Sequence, residues 1–309
     1  MKVLFSAQDP GGRNAILPVV EMLKADGAEV GGDIKNPDIF IAGTSAGDSL
    51  DKKIMMTLGD IPSLYVLDFW LNYWQRFSTT DKKDFVYLPS KICIMDDIAK
   101  EEMIAEGFPA ERLVITGNPH FDHFADNIMS ENEDENRILF ISQPLSSVAS
   151  LPGFSQILYD EYATLKDVVS VLETLPKQYY LSLRLHPKEP ADKYEEFLGP
   201  RVRRATEPTL EEALSGSGLI VGISSPVLMQ AVAAGKRVLS YEPKIYGKDP
   251  LVSNRMGVTT RIESAGALSR AFSAYARDEW PFTTSPLRDV WPAGATERVV
   301  GVVHSLAHS

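Results

Sequence analysis

Short apolar segments alternate with amphipathic helical patterns along almost the whole chain. In the first half these segments cover residues 3–7, 38–42, 64–67, 91–95 and 113–116. In the second half they cover residues 138–141, 180–185, 202–205, 219–223 and 237–241. Short strands that alternate with helices form parallel sheets through right-handed crossovers. The pattern therefore predicts an α/β protein with doubly wound, Rossmann-like sheets.

The alternation is interrupted by a purely polar run at residues 130–136, near the middle of the 309 residues. A chain of this length accommodates two α/β domains, and a polar run of this kind is typical of a linker. We predict Rossmann-like domains over residues 1–130 and 137–290, facing a cleft and joined by a linker over residues 131–136. Residues 291–309 are predicted to form a helix that packs back on the first domain. The alternative for the polar run is an acidic surface loop within one domain.

The net charge of −11 excludes general nucleic-acid binding, because neutralising phosphates requires a basic surface. The one cysteine, Cys93, lies in an apolar run, so no disulfide can form within the chain and a reducing compartment is expected. No segment approaches the roughly 20 apolar residues of a membrane span. The first residues resemble a strand and lack the apolar length of a signal peptide. We expect a cytoplasmic protein, and peripheral contact with the inner face of the membrane stays open.

Two motifs in the second half suit a bound phosphate. Arg-Leu-His-Pro-Lys at residues 184–188 ends one predicted strand, and Gly-Ile-Ser-Ser-Pro at residues 222–226 ends another. The proline after the serines suits the first turn of a helix, where free N–H groups bind anions. The candidate phosphate ligands are Arg184, His186, Lys188, Ser224 and Ser225. The alternative is structural: a histidine at a strand end and a serine N-cap.

Gln230 comes five residues after Ser225 on the predicted helix. We expect it to contact the hydroxyls of a nucleoside, or else to face neighbouring polar groups.

The loop after the first strand reads Asp-Pro-Gly-Gly-Arg-Asn and is not a dinucleotide-binding fingerprint. Its glycines leave space for a ligand near the backbone, and Asp9 is the candidate general base. The alternative is an ordinary Asp-Pro turn. The other candidates for contact with an acceptor in this loop are Gly11, Gly12, Arg13 and Asn14.

Further polar side chains in the first half are candidates for the same cleft. Asp68, Asn72 and Arg76 are spaced four residues apart, so a helix would place them on one face. That face could bind a sugar or acceptor, and the alternative is a core helix with an internal Asp–Arg bridge. Asn118 and His120 follow the last strand of this half and either line the cleft or form a turn.

The five histidines are scattered, and neither a metal-binding motif nor a nucleophile elbow stands out. We therefore predict that the protein uses neither a metal nor another cofactor.

These motifs resemble the GT-B superfamily, which contains nucleotide-sugar glycosyltransferases and the non-hydrolysing UDP-N-acetylglucosamine 2-epimerases. The resemblance is carried by Thr-Gly-Asn-Pro-His-Phe-Asp at residues 116–122, by residues 184–188 and by residues 222–238. The His-Pro and Ser-Ser pairs are also similar to those of bacterial sialyltransferases and CDP-glycerol-type transferases. In those families the histidine and serines contact donor phosphates, which implies the same for His186, Ser224 and Ser225.

The sequence departs from these families in three respects. The Asp/Glu-Asp/Glu-Gly motif that carries the base of the His-Pro sialyltransferases is not evident, so the resemblance does not identify a base. The glutamate that many GT-B enzymes use to hold ribose is replaced by Gln230, and the acidic cluster of the epimerases on this helix is missing.

The resemblance implies a GT-B glycosyltransferase of bacterial surface polysaccharide or glycoconjugate synthesis. The partners would be a UDP-, CMP- or CDP-linked sugar donor on the second domain and a glycan or lipid-linked acceptor on the first. The alternatives are a 2-epimerase, a transferase of polyol phosphate from a CDP-linked donor, and a non-catalytic nucleotide-sugar binding protein.

Overall fold

The computed structural model describes residues 1–45, 47–122, 133–148, 159–244, 249–282 and 291–308. The chain divides into two compact units, residues 1–123 with 291–309 and residues 124–290. Each unit contains one six-stranded sheet, and the named strands pair in parallel throughout the described ranges. The prediction of an α/β chain with two Rossmann-like parallel sheets is confirmed.

The first unit has the strand order β2-β1-β3-β4-β5-β6. Its strands are β1 (Lys2–Ser6), β2 (Glu29–Gly31), β3 (Ile39–Gly43), β4 (Ser63–Val66), β5 (Lys91–Ile94) and β6 (Leu113–Ile115). Its helices are α1 (Pro10–Ala25), α2 (Leu50–Met55), α3 (Tyr73–Arg76) and α4 (Asp97–Ala105), with a 3₁₀ turn at Ala110–Arg112. The described part of the chain adds the short strand β2, which the hydrophobic pattern does not predict.

The C-terminal segment belongs to the core of the first unit. Its helix, numbered below as α11 (Ala295–Ala307), buries Val299 and Val303 in the same cluster as Ile16 and Leu23 of α1. Asp122 caps this helix, because its carboxylate accepts hydrogen bonds from the backbone N–H groups of residues 294 and 296. The last helix is therefore held by both packing and capping.

The second unit has the strand order β12-β11-β10-β7-β8-β9. Its strands are β7 (Asp134–Ile141), β8 (Tyr180–Arg184), β9 (Val202–Arg204), β10 (Ser217–Gly222), β11 (Arg237–Tyr241) and β12 (Thr260–Ile262). Its helices are α5 (Leu145–Val148), α6 (Glu161–Leu172), α7 (Leu210–Ser215), α8 (Pro226–Ala233), α9 (Val252–Arg255) and α10 (Ala265–Ala276), with a 3₁₀ turn at Glu195–Phe197. Of the polar run predicted as a linker, residues 131 and 132 lie outside the described residues, and residues 134–136 begin β7.

The helix that would place Asp68, Asn72 and Arg76 on one face does not form. Residues 67–72 form an irregular segment after β4, and Asn72 has a left-handed backbone with φ of 57° directly before the short helix α3. Trp70 is buried and donates its indole N–H to Asp96, 2.9 Å away. The shape of this segment is therefore fixed by tertiary contacts and not by a helical repeat.

Candidate functional site

The second unit has its topological switch point between β7 and β10, because the chain runs outward from β7 in one direction and then returns to β10. Parallel α/β sheets bind ligands at the carboxyl edge of such a point. The register pairs Ile141 of β7 with Arg184 of β8 and with Gly222 of β10, so these residues form one row. Two positions beyond this row stand Gln143, His186 and Ser224.

Among the described residues, a hydrogen bond is made to one ring nitrogen of His186, Nδ1. The backbone N–H of Lys188 donates to Nδ1 of His186 at 3.1 Å. A ring nitrogen that accepts a hydrogen bond carries no proton, so Nε2 is the donor of this imidazole. The side chain is half-buried at the end of β8. It can therefore donate to an anionic oxygen at the carboxyl edge of the sheet.

The two serines begin helix α8. Ser225 is its N-cap, with Oγ accepting from the backbone N–H of Val227 at 3.3 Å, and Pro226 fills the first position. Ser224 precedes the cap, and its backbone N–H donates to Oε1 of Gln143 at 2.8 Å. Both serines are more than nine-tenths buried. The capping role and an anion-binding role are compatible, since a helix start offers several N–H groups.

The other residues predicted to bind the nucleotide-sugar donor are Arg184, Lys188 and Gln230. Arg184 donates from its guanidinium to the backbone oxygen of Glu207 at 2.8 Å, which ties it to the segment after β9. Lys188 is exposed, and Gln230 is half-buried in α8. Arg184 thus has a structural partner in addition to its predicted role.

Two polar residues at this edge are absent from the sequence prediction. Gln143 follows β7, and Glu189 accepts hydrogen bonds from the backbone N–H of His186 at 2.7 Å and from Oγ of Ser142 at 2.9 Å. In the sequence, only the position of Gln143 after a predicted strand could have suggested that it belongs to the site. Nothing in the sequence suggested Glu189, because its hydrogen-bond partners follow two different strands, β7 and β8.

A buried acid extends the same row. Gly222 pairs with Ser240 of β11, and Glu242 lies two positions beyond Ser240, directly after the end of that strand. Glu242 is fully buried, and burial, together with the neighbouring Asp249, raises its pKa to about 9. Oε1 of Glu242 has no hydrogen-bond partner among the described residues. Burial therefore favours the protonated form of this carboxyl group. The guanidinium of Arg261, with Nε 3.5 Å from Oε2 of Glu242, opposes this rise in pKa.

In the first unit, an Asp–Arg pair lies after the central strands. Oδ1 of Asp68 accepts from the guanidinium of Arg76 at 2.6 Å and from Oγ1 of Thr44 at 2.9 Å. The side chains of Asp68 and Arg76 are only 15% and 12% exposed. The predicted Asp–Arg bridge therefore forms across an irregular segment, and it needs no helix.

Lys52 fixes the segment that carries Arg76. Its Nζ donates to the backbone oxygens of Gly47, Gln75 and Ser78 at 2.7–3.0 Å. Burial lowers the pKa of this lysine, against the opposing pull of nearby carboxylates. The hydrogen bonds join the segment after β3 to both sides of Arg76.

The glycines of the first loop allow close approach. A methyl group on Gly11 would overlap with Oδ2 of Asp68. A methyl group on Gly43 would lie 2.7 Å from the backbone of Gly12, so the start of α1 packs directly on the end of β3. Arg13 and Asn14 are exposed in the first turn of α1.

Asp9 is the N-cap residue of α1 and is exposed. In the described structure its side chain accepts no capping hydrogen bond.

Asn118 and His120 form one cluster with Asp68. The side-chain amide of Asn118 donates to the backbone oxygen of Asp68 at 3.4 Å, and its Oδ1 accepts from the backbone N–H of His120 at 3.0 Å. Asn118 is buried, and His120 is half-buried. Asn72 is exposed. The structure thus brings Asp68, Arg76, Gly11 and Asn118 together.

Within the described ranges, no group of three or more His, Cys, Asp or Glu side chains is arranged to hold a metal ion. The absence of cofactors and metals stays a prediction. Across the same ranges, we found no helix with the length and apolarity needed to span a membrane.

Solved structures share this architecture. The UDP-GlcNAc 2-epimerase from Methanocaldococcus jannaschii superposes with a TM-score of 0.68 at 12% identity, covering 99% of this chain and 100% of that chain. The glycotransferase of kitacinnamycin gives 0.60 at 13% identity, covering 99% and 98%. MurG from Acinetobacter baumannii gives 0.57 at 13% identity, covering 98% and 99%. The chain therefore has the GT-B fold that its motifs predict.

No model of a known protein family matches the chain, and no curated protein sequence does.

Proposed function

We propose that the second unit binds the diphosphate of a nucleotide sugar at the carboxyl edge of its sheet. The observation that carries the proposal is the row of Gln143, His186 and Ser224 over the switch point, with His186 presenting Nε2–H. Neighbouring strands lie about 4.8 Å apart, so this row spans roughly 10 Å, which suits a diphosphate. Imidazole, hydroxyl and helix N–H donors are the groups that stabilise phosphate charge.

Ligands named for the similar structures support this choice. The M. jannaschii epimerase was solved with UDP-GlcNAc and UDP, and S. aureus MnaA, with a TM-score of 0.64, was solved with UDP. Anabaena HepE, with a TM-score of 0.56, was also solved with UDP. We therefore propose an enzyme whose substrate is a nucleotide sugar, with UDP as the first nucleotide to test.

For the reaction, we propose metal-independent transfer of the sugar to an acceptor hydroxyl, in surface polysaccharide or glycoconjugate synthesis. The donor row in the second unit would neutralise the leaving diphosphate. The first unit would bind the acceptor. We propose Asp68 as the group that takes the acceptor proton in preference to Asp9, because Arg76 and Thr44 hold Oδ1 of Asp68 and orient its carboxylate.

The second candidate function is 2-epimerisation of a nucleotide sugar. It is favoured by the higher TM-score of the archaeal epimerase, 0.68, against 0.57 and 0.60 for the two transferases. It is disfavoured by the sequence of the helix after the serines, which lacks the acidic cluster that the epimerases carry there.

Two measurements test the proposal. A thermal-shift screen with UDP, CDP, CMP, GDP and dTDP identifies the nucleotide, because a ligand that binds only the folded state raises Tm by mass action. The matching nucleotide sugar is then followed by NMR without acceptor. Conversion to an epimer identifies an epimerase, whereas turnover that requires an added glycan or lipid-linked acceptor identifies a transferase. No shift with any nucleotide would overturn the proposed function.

A further inference from the structure

A buried lysine lies between two buried carboxylates close to the loop of His186. Nζ of Lys193 is 2.5 Å from Oε1 of Glu161 and 2.6 Å from Oε1 of Glu189. The exposed fractions of the three side chains are 5%, 0% and 1%. The rings of Tyr162 and Tyr194 face the same ammonium group at 4.9 Å and 5.0 Å. The cluster is fully engaged within the protein and is not itself open to a ligand.

Glu189 connects this cluster to the loops after β7 and β8, which carry Gln143 and His186. Its Oε2 accepts from the backbone N–H of His186 at 2.7 Å, and its Oε1 accepts from Oγ of Ser142 at 2.9 Å. Ser142 directly precedes Gln143, and its hydroxyl also lies 2.7 Å from the hydroxyl of Tyr194. One carboxylate therefore fixes the loop after β8 and the loop after β7 at the same time.

Glu161 holds the first turn of helix α5, which follows the loop after β7. Its Oε2 accepts from the backbone N–H of Ser146 at 2.8 Å, and its Oε1 accepts from Oγ of Ser146 at 2.7 Å. Lys193 thus joins two carboxylates that hold residues 142 and 146, on either side of Gln143. Without the ammonium group, two like charges would remain buried near each other.

The charge of the cluster excludes a direct attraction for phosphate. Two carboxylates and one ammonium group leave a net negative charge beside a proposed anion site. Burial lowers the pKa of Lys193, but its bonds to Glu161 and Glu189 outweigh burial and raise the pKa above its ordinary value. The lysine therefore stays charged, and what remains for the cluster is to fix geometry.

We propose that Lys193 is a positioning residue for donor phosphate binding. It acts through Glu189 on the loop of His186, and through Glu189 and Glu161 on the loop of Gln143. This inference rests on the proposed function, because it concerns the same phosphate site.

The test compares Lys193→Met with Lys236→Met. Lys236 is an equally buried lysine of the same unit, with Nζ 2.8 Å from Glu133 and from the backbone oxygen of Ser215, which precedes β10 at the amino edge of the sheet. Affinity for UDP is measured by calorimetry on samples shown to be folded by circular dichroism. Uridine, which lacks phosphate, is titrated by NMR. If the screen selects another base, the corresponding diphosphate and nucleoside are used.

We expect Lys193→Met to weaken UDP binding by at least about tenfold. This is the lower end of the loss observed in metal sites when a residue that orients a ligand-binding side chain is removed, and Lys193 has the same indirect role here. Uridine binding should not change, and Lys236→Met should bind UDP like the wild type. Lys193→Arg should recover most of the UDP affinity. If Lys193→Met does not fold, Glu189→Gln replaces it, because it keeps the shape of the side chain and removes the ion pair.

The outcomes separate the two proposals. A wild type that binds UDP, with equal affinity in Lys193→Met or Glu189→Gln, would overturn the positioning role alone. Parallel losses of UDP and uridine binding would also overturn it, because they would indicate a disturbance of the whole nucleotide site and not of its phosphate contacts. A wild type that binds no nucleoside diphosphate would overturn the proposed function, and the positioning role with it.

Discussion

The side-chain oxygen of Gln143 lies 2.8 Å from the backbone nitrogen of Ser224, 81 positions further along the chain. The bond joins the loop after β7 to the residue that precedes the N-cap of α8. Strand β7 and strand β10, which precedes Ser224, flank the switch point of the second sheet. The spacing between the two loops of the proposed phosphate site is therefore set by a direct hydrogen bond.

Gln143→Leu should lower the free energy of unfolding by about 1–3 kcal/mol, because it leaves the buried N–H of Ser224 without its acceptor. Denaturant unfolding followed by circular dichroism measures the change. Gln178→Leu is the matched control, since Gln178 is exposed, and it should alter stability little. Equal stability of the two variants would contradict the structural role of this bond.

His186→Ala should weaken UDP binding about 10- to 100-fold, since a hydrogen bond to a charged group contributes about 1.5–3 kcal/mol. Uridine binding should stay the same, because the proposed contact is to phosphate. Calorimetry with both ligands measures the difference. Unchanged UDP affinity would remove His186 from the site.

Asp68→Asn should lower kcat by about 100-fold or more, the usual contribution of a general base, and leave UDP affinity unchanged. The amide can still accept a hydrogen bond from Thr44, so the local structure should persist. Asp9→Asn is the control and should retain activity, because Asp9 is an exposed N-cap residue. A greater loss in Asp9→Asn would return the base to that position.

Glu242 should make stability fall as pH rises. Burial raises its pKa to about 9 from an ordinary 4.5, so above about pH 4.5 the unfolded chain releases a proton that the folded protein keeps. The stabilisation is complete below that pH and is lost as pH approaches 9, at a rate of at most about 1.4 kcal/mol per pH unit.

Glu242→Gln should remove this dependence and gain stability relative to the wild type between pH 5.5 and 8.5. Urea unfolding at several pH values measures it. Glu263→Gln is the control, because Glu263 also lies near Arg261 but is largely exposed. A parallel pH profile for wild type and Glu242→Gln would show that Glu242 is ionised in the folded protein.

Much of the fold could be read from local patterns. Buried parallel strands are continuous apolar runs, and amphipathic helices have their own period, so both sheets and about half of the described helices were predictable from the sequence. The helix Ala265–Ala276 was not predicted. The short strands β2 and β12 were not predictable, because their sequences, Glu-Val-Gly and Thr-Arg-Ile, contain no apolar run. Motifs at strand ends were predictable for the same local reason, and they include His186, Ser224 and Ser225.

The sequence by itself determined the two parallel sheets and the polar residues at their carboxyl ends, because hydrophobic period and strand ends are local properties. The tertiary structure alone decided which of these residues meet. Strand register aligns Gln143, His186 and Ser224, and Lys193 reaches Glu161 over 32 positions. Asp68 pairs with Arg76. A helical repeat suggested this pair, but the backbone between the two residues is irregular up to Asn72. Such pairs depend on packing between distant segments, which no local pattern encodes.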